Sequence, residues 1–339
     1  MKLLIQGRFD EQMIERTKKQ WDTTVLPRRP GQPVDEKKLI DALQGMDVFL
    51  TEGGPITPSI LAALPQLKAV VVAKGNPNSN NTIDVAAATE AGVIITNAPG
   101  RNSHSVCEMC VMLMITVARN FERGMNMVRS GEWARGNRAD QYASMMGVEL
   151  AGRTVGLVGL GAIGRLVARA LGALNMRVLA YDPYQTQIAA DVVGAQLVSL
   201  DELLRESDFV SMHVHVNRET LGMIGEREFA MMKPTAYLIN TGRPGCVVEE
   251  ELIKALQDKR IAGAALDVFH VEPLPEGHPF MSMTNVVMLP HVGSATYDVV
   301  GHHSRLVEVD LAALRNNRIP PHLFNTDILR GGKIRLEVK

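Results

Sequence analysis

The sequence predicts an α/β protein of two domains, each a doubly wound parallel sheet, with a cleft between them. Three observations predict it. A chain of 339 residues exceeds what one hydrophobic core ordinarily serves. Short apolar runs alternate with amphipathic segments along most of its length, as strands do when crossover helices join them in parallel. A glycine-rich turn stands between a strand pattern and a helix pattern near the middle of the chain.

The elements follow in order. Strands are predicted at Leu3 to Ile5, Val48 to Leu50, Ala69 to Ala73 and Val93 to Thr96. Residues 104 to 128 hold no proline and no glycine before Gly124, so they read as one long helix or two abutting ones and form the candidate hinge. The polar segment Gly131 to Gly147, with Trp133 and Tyr142 as isolated aromatics, reads as an arm that packs on a second subunit. The alternation restarts with six strands: Thr154 to Val158, Arg177 to Tyr181, Phe209 to Met212, Ala236 to Asn240, Gly263 to Asp267 and Val286 to Leu289. A last helix runs roughly from Thr296 to Arg315, before a tail with Pro320-Pro321.

Composition narrows the function. An apolar fraction of 46% with 22% charged residues is that of a folded globular protein. With 36 basic and 37 acidic residues the net charge is −1, which gives no long-range attraction for nucleic acid or anionic lipid and points to a small-molecule partner. The start, Met1 to Gly7, is too short for a signal-peptide core, and the longest apolar stretch, Met109 to Ala118, is too short to span a bilayer. A cytoplasmic protein is expected. Cys107, Cys110 and Cys246 are an odd count, suited to a reducing compartment. The C-x-x-C at 107 to 110 lies in an apolar helical run and reads as core packing, so no metal is expected.

The run Val155 to Gly164 places G-x-G-x-x-G directly after a strand, with a helical stretch following at Arg165 to Leu174. In a Rossmann-like dinucleotide site Gly159 permits the tight turn, Gly161 lets the backbone approach a pyrophosphate, and Gly164 allows close helix packing. The next strand ends at Asp182, eighteen positions beyond Gly164, where a carboxylate accepts hydrogen bonds from the adenosine ribose. A 2′-phosphate would be repelled there, and Pro183 to Thr186 offers no cation to receive it. The cofactor expected is NAD.

Arg243, Glu272 and His291 fall just past the ends of successive later strands, the sheet edge where ligands bind. Singly each reads as an ordinary surface or loop residue; together they answer one chemical need. Reducing a 2-oxo acid takes a fixed cation for the carboxylate, a proton donor for the developing alkoxide, and a group that keeps the donor protonated. Arg243 supplies a forked ion pair. His291 supplies the proton, and Glu272 orients the imidazole and favours its protonated form, so that reduction weakens as pH rises. In the oxidative direction the pair acts as general base. Asp267, at a strand end, is placed to accept from the nicotinamide carboxamide. The predicted reaction is hydride transfer between NAD(H) and a small 2-hydroxy or 2-oxo acid.

These residues resemble the D-isomer-specific 2-hydroxyacid dehydrogenase family, which includes phosphoglycerate, glyoxylate, hydroxypyruvate and D-lactate enzymes. The resemblance covers nearly the whole chain. Besides Val155 to Gly164 it rests on Ser207 to His213, Met232-Lys233-Pro234, Ile239 to Arg243, Ala264 to Phe269 with Glu272-Pro273, and Leu289 to Thr296. It implies catalytic positions at Arg243, Glu272 and His291, and NAD contacts from Ala162, Ile163, Asp182, Thr241, Gly242, Asp267 and the loop His291 to Ser294. It implies a discontinuous, flavodoxin-like substrate-binding domain, residues 1–101 plus 299–339, an NAD-binding domain, residues 102–298, and a homodimer paired through the latter.

The segment Ala73-Lys74-Gly75-Asn76-Pro77-Asn78-Ser79 looks like the family's carboxylate-binding loop, with backbone N–H groups for an anion and Lys74 for a second anionic group. Turn residues in a solvated loop read equally well there. Three positions depart from the family pattern: Pro244 stands where glycine is usual, His215 where proline is common and Val248 where aspartate is common. Pro244 restricts the backbone of Arg243. His213 and His215 are alternate residues of a strand and make no metal site alone. Two other readings share the architecture: a formate dehydrogenase, which resembles this family with glutamine in place of Glu272, and an NAD(H)-sensing, corepressor-like binding protein.

Overall fold

The computed structural model describes residues 1–26, 34–78, 82–331 and 333–338. Ser79 of the glycine-asparagine loop lies outside them. The chain forms two compact units, Met1–Asn102 with Thr296–Lys339, and Ser103–Ala295.

The first unit holds a five-stranded parallel sheet of β1 (Lys2–Gln6), β2 (Asp22–Leu26), β3 (Val48–Thr51), β4 (Ala69–Val72) and β5 (Ile94–Thr96), in the order β2-β1-β3-β4-β5. This is the flavodoxin-like doubly wound order. Both faces are buried, because successive side chains point to opposite sides of a strand. Leu3, Ile5, Leu50 and Val71 serve one core, and Leu4, Phe49, Val70 and Val72 the other. The helix Tyr297–Arg315, capped by Thr296, buries Val307, Leu311 and Leu314 in the first of these cores. Sequence patterning missed β2. As an edge strand it is half exposed, and its Asp-Thr-Thr start shows no apolar run.

The second unit holds a seven-stranded parallel sheet of β6 (Thr154–Val158), β7 (Arg177–Tyr181), β8 (Ala195–Leu197), β9 (Phe209–Met212), β10 (Tyr237–Asn240), β11 (Gly263–Leu266) and β12 (Val286–Met288). Its order, β12-β11-β10-β9-β6-β7-β8, is the dinucleotide-binding arrangement with one added strand. Strand order reverses beside β6, so β6 and β9 flank the switch point. The three-residue edge strand β8 escaped the sequence reading for the same reason as β2. Residues 104 to 128 form two helices, Ser103–Ala118 and Phe121–Arg129, broken at the left-handed Asn120. The arm that follows consists of the short helices Glu132–Arg135 and Arg138–Ser144, neither with a buried residue.

Gly156 shows how tightly β6 is packed. A Cβ at that position would lie 2.3 Å from Ser207 Oγ and 2.4 Å from Leu203 Cδ2. Gly156→Ala should therefore destabilise the second unit by about 1–3 kcal/mol through overpacking. Urea unfolding checks this, and an unchanged midpoint would contradict the packing described.

Candidate active site

The carboxyl ends of adjacent parallel strands in the second unit carry, in spatial order, His291 after β12, Glu272 after β11, Arg243 after β10, His213 after β9 and Gly159 after β6. Strands are spaced by roughly 4.8 Å, so Arg243 and His291 spring from strands about 10 Å apart.

The glycine turn fits a dinucleotide. Gly159 has φ +101°, which side chains rarely adopt, and a Cβ there would lie 2.9 Å from the His213 carbonyl oxygen. Gly161 has open space where a Cβ would stand, and no side chain caps the helix that starts after it. Its first N–H groups are thus left for an anion. That helix is Ala162–Ala173, beginning three residues earlier than the sequence suggested and bringing Ala162 and Ile163 into its first turn. A Cβ on Gly164 would meet the Gly159 carbonyl oxygen at 2.3 Å. Asp182 is half-buried and accepts from the backbone N–H of Leu160 at 2.9 Å and of Tyr184 at 3.0 Å, which fixes its carboxylate beside the turn. Thr241 is buried, and its Oγ1 has no hydrogen-bond partner among the described residues. An orphaned buried hydroxyl is costly unless a ligand completes it.

His291 Nδ1 lies 2.7 Å from Glu272 Oε2, while Glu272 Oε1 accepts from the Phe269 N–H at 3.0 Å. Held at both oxygens, Glu272 orients the ring, and His291 Nε2 has no partner among the described residues. His291 itself has φ +54°, strained for a residue with a side chain. What holds it is Asp267, whose two oxygens accept from the Val292 N–H at 2.8 Å and the Gly293 N–H at 2.7 Å. Burial raises the pKa of Asp267, against the pull of these two donors. Its carboxylate holds the His291 loop, a contact the sequence did not foretell. Ser294 is half-buried in the same turn.

Asn240 shapes the loop of Arg243, with Oδ1 accepting from the Gly242 N–H at 3.0 Å and Nδ2 donating to the Arg243 carbonyl at 3.1 Å. A Cβ on Gly242 would lie 3.0 Å from the Met212 carbonyl oxygen. Arg243 is exposed, folds back to donate to the Gly242 carbonyl at 2.8 Å, and makes no ion pair among the described residues. Pro244 is accommodated. Arg243 is extended, as a residue before proline must be, and Pro244 opens the 3-10 turn Pro244–Cys246, where its missing N–H has no bond to lose.

Two residues that the local sequence window did not supply join this edge. Arg165 donates to the Leu160 carbonyl at 3.0 Å and to Gln185 Oε1 at 2.5 Å, so a cation from the helix reaches the segment 183 to 186. His215 is held below its ordinary pKa by burial and by the charge of Arg243. His213 is pushed down to about 4 by burial, and its Nε2 lies 3.0 Å from Ser211 Oγ, which in turn touches Cys110 Sγ at 3.2 Å. Cys107 and Cys110 are buried and unbonded to each other. Among the described residues no group of three or more His, Cys, Asp or Glu is arranged to hold a metal.

Lys74, Gly75 and Asn76 belong to the first unit. Their loop is pinned by the Ala98 N–H on the Lys74 carbonyl at 2.8 Å, by Asn97 Nδ2 on the Gly75 carbonyl at 2.8 Å, and by an internal bond from the Asn78 N–H to Asn76 Oδ1 at 3.0 Å.

Comparison with known proteins decides the family. The model for D-isomer specific 2-hydroxyacid dehydrogenase, NAD binding domain, matches residues 111–293. A glyoxylate reductase of Korarchaeum cryptofilum is 37% identical over 302 residues, 88% of each chain. The chain belongs to the D-isomer specific 2-hydroxyacid dehydrogenase family. A second glyoxylate reductase, from Thermococcus litoralis, is 36% identical over 305 residues, 89% of each chain. A solved glyoxylate reductase from Paecilomyes thermophila superposes with TM-score 0.79 at 26% identity, covering 96% of this chain and 97% of that one. A Thermus thermophilus protein gives TM-score 0.83 at 28% identity, covering 95% and 99%. The protein is thus an NAD-dependent oxidoreductase of small 2-hydroxy and 2-oxo acids.

Asp267→Asn leaves one acceptor for two loop N–H groups. Hydrogen exchange at Val292 and Gly293 should accelerate by about tenfold or more. Unchanged protection would show that another contact holds the His291 loop.

Proposed function

We propose that the protein reduces a 2-oxo acid of the glyoxylate type, a carboxylate beside a reactive carbonyl, with Arg243 binding the carboxylate and the His291–Glu272 pair moving the proton. One observation carries this reading: the 2.7 Å contact of His291 Nδ1 with Glu272 Oε2 directs Nε2, which has no partner among the described residues, as a proton donor. Glyoxylate reduction is the activity by which the relatives at 36–37% identity are named.

NAD(H), when bound, supplies and accepts the hydride. The chain's own residues do the rest. The turn at Gly159, Gly161 and Gly164, with Ala162 and Ile163, would take the pyrophosphate, Asp182 the adenosine ribose, and Thr241, Gly242, Asp267 and Ser294 the nicotinamide half. The guanidinium of Arg243, free of any carboxylate among the described residues, swings to a forked pair with the substrate and polarises its carbonyl. His291 Nε2 gives a proton to the developing alkoxide, or takes one from a hydroxyl in the reverse direction. Glu272 keeps the ring oriented in both. Formate oxidation needs no proton transfer at the substrate oxygen, so the His–Glu pair speaks for a 2-hydroxy acid.

We assign residues 102–298 to NAD and residues 1–101 plus 299–339 to the substrate, with Lys74, Gly75 and Asn76 contributing. We also infer a homodimer, supported by the arm's Trp133, Tyr142 and Met146, which are 60%, 73% and 67% exposed. A cytoplasmic place is supported by the three free cysteines. No helix among the described residues is long and apolar enough to cross a membrane, and the net charge of −1 gives no attraction to nucleic acid.

Wild-type protein should oxidise NADH in the presence of 2-oxo acids; NADH-dependent assembly without turnover on any of them would favour the sensing protein instead. His291→Ala should lower kcat by about a hundredfold or more. Asp182→Ala should weaken NADH binding by about tenfold, read by nicotinamide fluorescence. If both variants lost NADH affinity equally and kept kcat, the roles given to them would be wrong.

A further inference from the structure

The loop that carries Arg243 and the loop that carries Glu272 leave neighbouring strands, β10 and β11. The last backbone bond of that ladder runs from the Asp267 N–H to the Asn240 carbonyl at 2.9 Å. Beyond it, among the described residues, no backbone bond joins residues 241–248 to residues 268–273. One side chain spans the gap. His270, in the turn between Asp267 and Glu272, brings Nε2 to 3.1 Å from the Val247 carbonyl oxygen. A carbonyl only accepts, so the ring carries a proton on Nε2 and donates it to this bond.

Both ends of the bond are anchored. Val247 is buried, and its N–H donates to the Pro244 carbonyl at 2.9 Å, which closes the turn that opens after Arg243. Val248 donates in turn to the Ile224 carbonyl at 2.9 Å. No backbone donor reaches the Val247 carbonyl among the described residues, and an acceptor on a buried residue is costly to leave unmet. On the other side Phe269 is buried against Phe280, with ring centroids 6.5 Å apart, and its N–H holds Glu272 Oε1 at 3.0 Å. A second tie lies further along both segments, where His278 Nε2 is 3.5 Å from Glu249 Oε1. That contact is an ion pair only while His278 is protonated, whereas a neutral imidazole serves as donor at His270.

We infer that His270 is a positioning residue for hydride transfer: its bond to Val247 yokes the Arg243 loop to the Glu272 loop and fixes the separation between the carboxylate-binding guanidinium and the proton-moving pair. The inference rests on the roles proposed above for Arg243, Glu272 and His291, and supplies what sets their spacing. The carboxylate and the carbonyl of a 2-oxo acid sit on adjacent carbons, which leaves little slack between a cation on one and a proton donor on the other. A misplacement of about 1 Å between such groups costs up to about a hundredfold in rate. Arg243 is exposed and rests on a neighbouring carbonyl, so its spacing has to come from the loop beneath it.

The test pairs His270→Ala, which removes the donor, with His270→Gln, whose amide N–H can donate from the place of Nε2. In the reduction of glyoxylate by NADH, the alanine variant should lose about tenfold in kcat while KM and NADH affinity stay within about twofold, because each binding group survives and only the alignment is lost. The glutamine variant should return kcat to within about threefold of wild type. Wild-type kcat in the alanine variant, a loss carried by KM or NADH affinity, or a loss that glutamine does not restore overturns the assignment. Hydrogen exchange at the Phe269 N–H reads the yoke without turnover: it should accelerate by about fivefold or more in His270→Ala and recover in His270→Gln. Unchanged exchange overturns the yoke. If the wild type turns over no 2-oxo acid, the roles of Arg243, Glu272 and His291 fail by themselves, and the exchange comparison alone decides whether His270 ties the two loops.

Discussion

The bond pair from Asp267 to the Val292 and Gly293 N–H groups is the constraint on which the candidate site rests. His291 adopts φ +54°, a conformation that costs an L-residue about 1–2 kcal/mol. The two charge-assisted bonds outweigh that strain, since each is worth about 1.5–3 kcal/mol in a buried setting. The carboxylate that provides them is itself destabilised by burial, as its raised pKa shows. Strain at residue 291 and desolvation at residue 267 are therefore coupled, and the position of the imidazole is their joint result.

The same economy of parts recurs along the edge. Three loops leaving the sheet are closed by side chains at strand ends: Asn240 closes the loop after its own β10, while Asp267 after β11 holds the loop after β12 and Asp182 after β7 holds the turn after β6. Parallel strands deliver all their carboxyl ends to one side, so residues far apart in sequence become neighbours without any long-range recognition between them. Glu272 and His291 meet because β11 and β12 are adjacent, and the 2.7 Å contact needs only the right loop lengths. Arg243 makes no bond to either, and its exposed side chain rests on its own backbone.

How much of this was legible follows from burial. Inner strands are buried over most of their length, so the apolar runs of β6, β7 and β9 could be read, while β2 and β8, exposed at the sheet edges, left no pattern. Gly159 and Gly164 announce themselves because backbone atoms come within 3 Å of where their Cβ would be. Contacts between loops were not legible. Arg165 reaches Gln185 across the turn of the fold, which no window beginning at Asp182 contains. The reach of Asp267 toward the His291 loop was equally invisible, since a carboxylate at a strand end gives no sign in sequence of which donors it will find.

The contrast between two arginines shows what the fold has built in advance. Arg243 is exposed and held only by a neighbouring carbonyl, so gripping a carboxylate must draw it out of that contact and restrict a flexible side chain. Arg101 is part-buried and braced by His303, which is tied to the Arg8 backbone, so its direction is set before any ligand arrives. Preorganised groups lose less on binding and discriminate more sharply, because a ligand that fails to match them leaves the charge unpaired. A mobile arginine suits a carboxylate that must be gripped on arrival, and a braced one is held by the fold itself.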